Sequence, residues 1–222
     1  MAYFEELTAK RLAQRTNVFF METDQLRSIV GGFKKYVAGS NLAKAFGREY
    51  DEIINYNLQR NWNQLTHIVS IGKDKDKKGW QPIQMDMGSN PLQILDDYLT
   101  NKKTIAIIDY VVFPQHADAL SDMLIAWSHD VKLYDNKSTI IVFTSNINLF
   151  NETLRNLCYP IIIESPTTIE REARMSQLTK DLNSMGKQSG QTINLKVTPE
   201  LIQQSAGLGL DQIETALIES FR

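Results

Sequence analysis

Apolar residues form short continuous runs along the first three quarters of the chain. The runs cover residues 17–22, 66–71, 104–112, 138–145 and 160–164. Continuous apolar runs of roughly four to eight residues, rich in β-branched side chains, are typical of strands that are buried on both faces. We therefore predict a strand in each run.

Helical patterns separate these runs. Asn90 followed by Pro91 predicts a helix start, because asparagine is a favoured N-cap and proline is favoured at the first helical position. Leu92, Leu95 and Leu99 would then form the buried stripe of that helix. Further helices are predicted near residues 3–14, 23–39, 117–130 and 151–157. The alternation of strands and helices predicts an α/β fold with a mostly parallel sheet sandwiched by helices.

Beyond Pro166 the strand patterns stop. Helices are predicted at residues 168–185, 199–206 and 210–221, with a polar stretch at residues 186–191. We predict an α/β sandwich over residues 1–165 and a small helical lid over residues 166–222. The lid is expected to pack on the sheet, because Ile169, Met175, Leu178 and Leu182 would otherwise form an exposed apolar stripe. Earlier in the chain, the charged residues 73–78 between Gly72 and Gly79 predict a solvated turn.

Composition narrows the classes of function. The chain has 222 residues, 42% of them apolar and 23% charged, which is ordinary for a globular domain. Its formal charge of −2 argues against binding to nucleic acid or acidic lipid. A single cysteine, Cys158, cannot form an internal disulfide and favours the cytoplasm. The sequence shows no secretory signal and no run of about 20 apolar residues that could span a membrane.

Two of the predicted strands end in a lone polar residue, Asp109 and Asn146. In the parallel sheet of a nucleoside triphosphatase, these places hold a magnesium-organising acid and a polar residue that senses water. The phosphate-binding loop G-x-x-x-x-G-K-S/T is nevertheless missing from the chain. Two plainer interpretations stay open: Asp109 as a structural acid, and Asn146 as a cap or turn residue before the next helix.

Other candidate residues predict structure rather than chemistry. The glycines at 31, 32 and 39, with Lys34 and Lys35 nearby, follow a predicted helix rather than a strand, so they indicate turns or helix ends. The three histidines are too dispersed for a metal site. Cys158 has no histidine partner and is expected to be a buried, unreactive thiol. The tryptophans have no basic surroundings and predict packing. These residues are His67, His116, His129, Trp62, Trp80 and Trp127.

Three segments together resemble an AAA+ ATPase module. They are residues 15–23 (RTNVFFMET), 90–98 (NPLQILDDY) and 207–217 (GLGLDQIETAL). The resemblance covers residues 17–222. Its nearest type is the degenerate first half of AAA proteins catalogued as hypothetical chloroplast reading frames. In that family a second module carries the intact ATPase motifs, which implies that this chain is the front part of a longer protein.

The resemblance places Asp109 on the magnesium-organising acid of the Walker B strand and Asn146 on the sensor asparagine. Tyr110 takes the place of the catalytic glutamate, and a phenol with a pKa of about 10 cannot act as a base at neutral pH without a large shift. Arg155 is the possible substitute for an arginine finger, since Cys158 stands where the finger is often found.

Where a phosphate-binding loop should follow the first strand, the chain has residues 22–27 (ETDQLR). This segment carries two carboxylates, which would repel a triphosphate. The resemblance therefore implies a degenerate, non-hydrolysing AAA+-like module that acts in assembly, partner binding or regulation of an ATPase. Its expected partner is another AAA+ module or a second copy of the chain. Arg155 and the basic turn at residues 73–78 are candidate contacts at such an interface.

Two other functions remain possible. The chain could bind ATP and magnesium through Asp109, Asn146 and an unrecognised loop, with weak ATPase activity. It could also be a clamp-loader-like subunit that acts on nucleic acid, although the absence of net positive charge argues against this. No cofactor is assigned from the sequence, and any strong ATPase activity of the full-length protein would belong to an intact second module.

Overall fold

The computed structural model describes residues 6–7, 9–11, 13, 16–23, 50–57, 64–70, 78–86, 88–111, 114–162, 165–188 and 196–219. The chain divides into two compact units, Met1–Ile163 and Glu164–Arg222. The predicted helix at residues 23–39, with its glycines and lysines, lies almost entirely outside the described residues. Trp62 and most of the predicted charged turn also lie outside them.

The first unit contains a seven-stranded sheet with the strand order β4-β3-β2-β5-β6-β1-β7. The strands are β1 (Val18–Glu22), β2 (Glu52–Asn57), β3 (Gln64–Ser70), β4 (Lys78–Pro82), β5 (Thr104–Val111), β6 (Thr139–Thr144) and β7 (Tyr159–Ile162). Strands β2, β5, β6, β1 and β7 are mutually parallel. Strands β3 and β4 add an antiparallel extension. The predicted α/β class with a mostly parallel sheet is confirmed, and it is compatible with a P-loop-like fold.

After β1, four described α-helices lie in the first unit and three in the second. They are α1 (Pro91–Asn101), α2 (Pro114–His129), α3 (Val131–Asp135), α4 (Glu152–Leu157), α5 (Thr168–Gln188), α6 (Pro199–Gln204) and α7 (Leu210–Glu219). The predicted start of α1 is confirmed, because Oδ1 of Asn90 accepts a hydrogen bond of 3.0 Å from the backbone N–H of Leu92. In the described part of the chain, no helix is both long and apolar enough to cross a bilayer.

The central strands β1, β5 and β6 are buried on both faces, which explains why they are continuous apolar runs. On one face, Val18, Phe20 and Ile108 belong to a cluster with side chains of α1 to α4. The alternate residues Phe19 and Ile107 point to the opposite face, and they are buried as well. The helix residues of the cluster include Leu95, Leu99, Ala117, Leu120, Leu124, Trp127, Leu133 and Leu154.

Two strands were not predicted. The sequence of β2 is Glu-Ile-Ile-Asn-Tyr-Asn, and that of β4 is Lys-Gly-Trp-Gln-Pro. Neither strand is a continuous apolar run, and glycine and proline are normally rare in strands. The prediction of a solvated turn between Gly72 and Gly79 was wrong at the end of this segment, because Lys78 and Gly79 belong to β4 and pair with β3.

The second unit contains α5, α6 and α7. Helix α5 continues through Gly186 to Gln188, so the predicted end at residue 185 was too early. Met175 and Leu178 are buried as expected, but Ile169 is 79% exposed and does not belong to the buried stripe. Nη2 of Arg174 and Oε2 of Glu214, 2.6 Å apart, form an ion pair that joins α5 to α7. The packing of this unit on the sheet stays a prediction.

Candidate functional site

The strand order creates a switch point between β6 and β1. From β1 the chain continues to β2, on the far side of β5 and β6, whereas from β6 it crosses β1 to reach β7. Two neighbouring parallel strands thus lead to connections that run in opposite directions. In open α/β sheets, ligands bind outside the carboxyl ends of the strands at such a point. The carboxyl ends of β1 and β6 are therefore the candidate site.

Strand register brings the two predicted site residues to this edge of the sheet. Asp109 is in the carboxyl-terminal half of β5 and is paired with Asn57 of β2. Asn146 comes just after β6, which is the other neighbour of β5. The structure does not describe the side chains of Asp109 and Tyr110. The magnesium-organising role of Asp109 accordingly stays a prediction.

Asn146 caps a short turn. Its Oδ1 accepts a hydrogen bond of 2.8 Å from the backbone N–H of Asn148, at the start of the 3-10 helix Ile147–Leu149. The backbone N–H of Asn146 donates to Oγ1 of Thr144 over 3.2 Å. The side chain of Asn146 is exposed. This geometry is that of the plainer interpretation, a cap after the strand, and the role as a water sensor stays a prediction.

Glu22 ends β1 and lies opposite Thr144 of β6. Its Oε1 accepts a long hydrogen bond of 3.4 Å from the backbone N–H of Ile147. One residue later, the backbone N–H of Thr23 donates to the carbonyl oxygen of Thr144 over 2.9 Å. A carboxylate therefore occupies the end of the strand after which a phosphate loop would begin. An anion at this place disfavours a triphosphate.

Arg155 is in α4 and interacts with the same turn. Its Nη1 donates to Oδ1 of Asn148 over 2.7 Å. Its Nε is buried and has no hydrogen-bond partner among the described residues. The role of an arginine finger stays a prediction. Sequence reasoning did not select Thr144 or Asn148, whose hydrogen bonds link the turn to β6 and α4. Their signal in the sequence is the density of hydroxyl and amide residues after β6.

Cys158 is buried at the end of α4, as expected. Burial raises the pKa of its thiol to about 12, because the charged thiolate loses its hydration. A thiol that stays protonated is a poor nucleophile and a poor metal ligand. Across the residues that the structure describes, no three His, Cys, Asp or Glu side chains are placed to hold a metal ion.

No protein-family model matches the chain. No curated protein matches it in sequence either. The AAA+ resemblance therefore rests on the residues and motif order given above.

Proposed function

We propose that the chain is a degenerate, non-hydrolysing AAA+-like module that acts in the assembly, partner binding or regulation of an ATPase. One observation supports this most strongly. At the edge between β1 and β6, the side chains of Asn146 and Glu22 both accept backbone N–H groups of the turn Ile147–Leu149. These polar groups stabilise the protein's own turn.

Phosphoryl transfer requires groups of a different kind. Catalysis of this reaction depends on positioning and on positive charge around the phosphates, supplied by a loop of backbone N–H groups, a lysine and magnesium. At this edge Glu22 contributes negative charge. Tyr110 stands where the resemblance expects the catalytic base. The carboxylate of Glu22 and the phenol of Tyr110 therefore support a module that retains the fold but does not catalyse phosphoryl transfer.

The function proposed for such a module is to provide a surface. In a ring of AAA+ modules, each nucleotide site lies between neighbours, so a module without activity can still complete a neighbour's site or hold the ring together. The expected partner is another AAA+ module or a second copy of the chain. Such a contact joins two different surfaces of neighbouring modules. A contact of this kind either closes the modules into a ring or leaves an open edge. Sedimentation of the full-length protein with ATP and magnesium tests this part, and a strict monomer at cellular concentration would contradict it.

Calorimetric titration with ATP and magnesium tests whether the chain binds ATP, and a steady-state assay of phosphate release tests whether it hydrolyses ATP. We expect no saturable heat up to millimolar ATP, and no release of phosphate above background in a steady-state assay. Asp109→Ala and Asp118→Ala form a matched pair, because Asp118 is an exposed acid on α2. Saturable binding or turnover that is lost only in Asp109→Ala would overturn the proposal and establish the alternative, a weak ATPase.

A further inference from the structure

An apolar groove lies in the second unit, where α5, α6 and α7 meet. It has a volume of about 180 Å³. The side chains at its floor are buried, whereas Gln204 and Ala216 at its rim are exposed. The lining residues are Met175, Leu201, Gln204, Ser205, Leu208, Ile213, Ala216 and Leu217.

The one polar side chain of the floor, Ser205, is satisfied by the protein itself. Its Oγ accepts a hydrogen bond of 3.2 Å from Nε of Arg171 and donates to the carbonyl oxygen of Ile202 over 2.6 Å. The other floor residues are apolar. A charged or polar group placed on this floor would lose its hydration without gaining a partner. The floor therefore suits an apolar side chain.

The size of the groove limits what can occupy it. An apolar cavity of about 150 Å³ is large enough for a benzene molecule. Pockets for larger organic ligands measure about 300–1,000 Å³. The groove, at about 180 Å³, therefore has room for one large apolar side chain such as phenylalanine or leucine, and it is too small for a nucleoside or an organic cofactor.

The helices beside the groove carry an excess of negative charge. Residues 196–219 contain a single cation, Lys196, against four carboxylates. Glu214 is paired with Arg174 of α5, with Oε2 and Nη2 2.6 Å apart. Arg171 is buried behind Ser205 and does not line the groove. The carboxylates that remain without a cation of α5 are Glu200, Asp211 and Glu219.

Two of these carboxylates lie beside the rim. Residues three or four positions apart in a helix are neighbours on its surface. In α6, Glu200 comes four positions before the rim residue Gln204. In α7, Glu219 comes three positions after the rim residue Ala216. Both glutamates are exposed, so an occupant of the groove meets negative charge on both helices.

We propose that this groove binds a protein segment in which one large apolar side chain is flanked by lysine or arginine residues. The apolar side chain would fill the groove as an anchor, and the flanking cations would face Glu200 and Glu219. The groove lies entirely within the second unit. Its binding of such a segment therefore does not depend on the edge between β1 and β6 or on the AAA+-like assembly proposed above.

Binding of a synthetic peptide to the full chain tests the proposal. The probe is a fluorescein-labelled alanine–lysine peptide of about 15 residues, long enough to form a helix, with one phenylalanine at its centre. A first control peptide has alanine in place of the phenylalanine, and a second has glutamate in place of every lysine. In fluorescence anisotropy, the alanine peptide should bind at least about tenfold more weakly than the probe, because the loss of an anchor side chain is the largest single loss at an interface. The glutamate peptide should not bind.

Variants of the chain locate the binding in the groove. Ala216→Phe fills the groove from its exposed rim and should weaken the binding of the probe by at least about tenfold. Ala173→Phe is the matched control, because Ala173 is an exposed alanine of α5 that does not line the groove. Replacing Glu200 and Glu219 together by glutamine should weaken the binding several-fold and make it less sensitive to salt, since salt screens exposed charges. Circular dichroism checks that each variant is folded.

Three outcomes would overturn the proposal. The first is equal affinity of the chain for the phenylalanine and alanine peptides, and the second is equal affinity of Ala216→Phe and Ala173→Phe for the probe. The third is self-association of the chain that only Ala216→Phe abolishes, because a second copy would then occupy the groove. The peptide assays contain no ATP, so their failure leaves the proposed assembly untouched, and a monomer in the sedimentation test leaves the peptide site untouched.

Discussion

The indole nitrogen of Trp127 donates a hydrogen bond of 2.7 Å to Oδ1 of Asp96. This bond joins α2 to α1, and both helices contribute side chains to the same buried cluster. Trp127 is only 1% exposed, so its N–H has little access to water. A buried donor of this kind needs its acceptor, because an unsatisfied polar group costs more than the bond itself contributes.

Asp96→Ala should therefore lower the free energy of unfolding by about 1–3 kcal/mol. Asp96→Asn keeps an acceptor oxygen and should lower it by less. Urea unfolding followed by tryptophan fluorescence measures both values. Asp97→Ala is the matched control, because Asp97 is exposed on the same helix. Equal losses in Asp96→Ala and Asp97→Ala would show that the indole bond does not stabilise the protein.

Lys137 follows α3 with a φ of 57°, in the left-handed region. Lys137→Gly should raise the free energy of unfolding by about 0.5–1 kcal/mol, because the left-handed conformation is strained for lysine and open to glycine. The same replacement at Lys132, which lies inside α3, should lower it by a similar amount, since glycine is unfavourable within a helix. Thermal or urea unfolding of the two variants checks that the replacements change the free energy of unfolding in opposite directions. A loss of stability in both would mean that the backbone at residue 137 is not strained.

The buried thiol of Cys158 predicts a dependence on pH. Its pKa is about 12 in the folded protein and 9.0 when unperturbed. The folded state therefore holds the proton more tightly, so this contribution to stability is complete below pH 9.0 and is lost as the pH rises toward 12. Between about pH 8 and pH 10, the natural sequence should lose about 1 kcal/mol relative to Cys158→Ala.

Urea unfolding at both pH values measures this difference, and the comparison with the alanine variant cancels the other titrating groups. The thiol should also resist a disulfide reagent in the folded protein and react after unfolding. Rapid modification under native conditions would contradict the burial of Cys158.

Asn146→Ala removes the acceptor that caps the turn Ile147–Leu149, and it should lower the free energy of unfolding by about 0.5–1 kcal/mol. Asn146→Asp keeps an acceptor oxygen at the same place and should be close to neutral. Unfolding of both variants in urea distinguishes a capping role from none. A fully stable Asn146→Ala would remove the structural explanation for this residue and favour a role toward a ligand.

Sequence patterns predicted the parts of the sheet that are buried on both faces. Strands β1, β5 and β6 lie in the middle of the sheet, and burial on both faces demands apolar side chains at every position. Strand β2 also lies inside the sheet, but the polar residues Glu52, Asn55 and Asn57 interrupt its pattern. Asn55 is 3% exposed, although its Oδ1 has no hydrogen-bond partner among the described residues. No local pattern in the sequence predicts that a buried strand tolerates a polar residue at such a position.

The candidate site was predicted less completely than the fold. Sequence order selected Asn146 because it follows an apolar strand, and a polar residue at that place can serve as a cap or as a ligand. The sequence cannot distinguish a cap from a ligand, because the role of Asn146 depends on Asn148 and Glu22 and on the position of the turn.

The place of β1 within the sheet has a consequence for biosynthesis. Val18 pairs with Ile140 and Phe19 with Tyr159, so both neighbours of β1 are translated more than a hundred positions later. After its synthesis, β1 must therefore wait, with the apolar run Val-Phe-Phe-Met unpaired, until nearly the whole first unit has been synthesised. Contacts of such long range make folding slow and leave the nascent chain open to aggregation. A chaperone that covers this segment during translation would protect the protein at its most vulnerable stage.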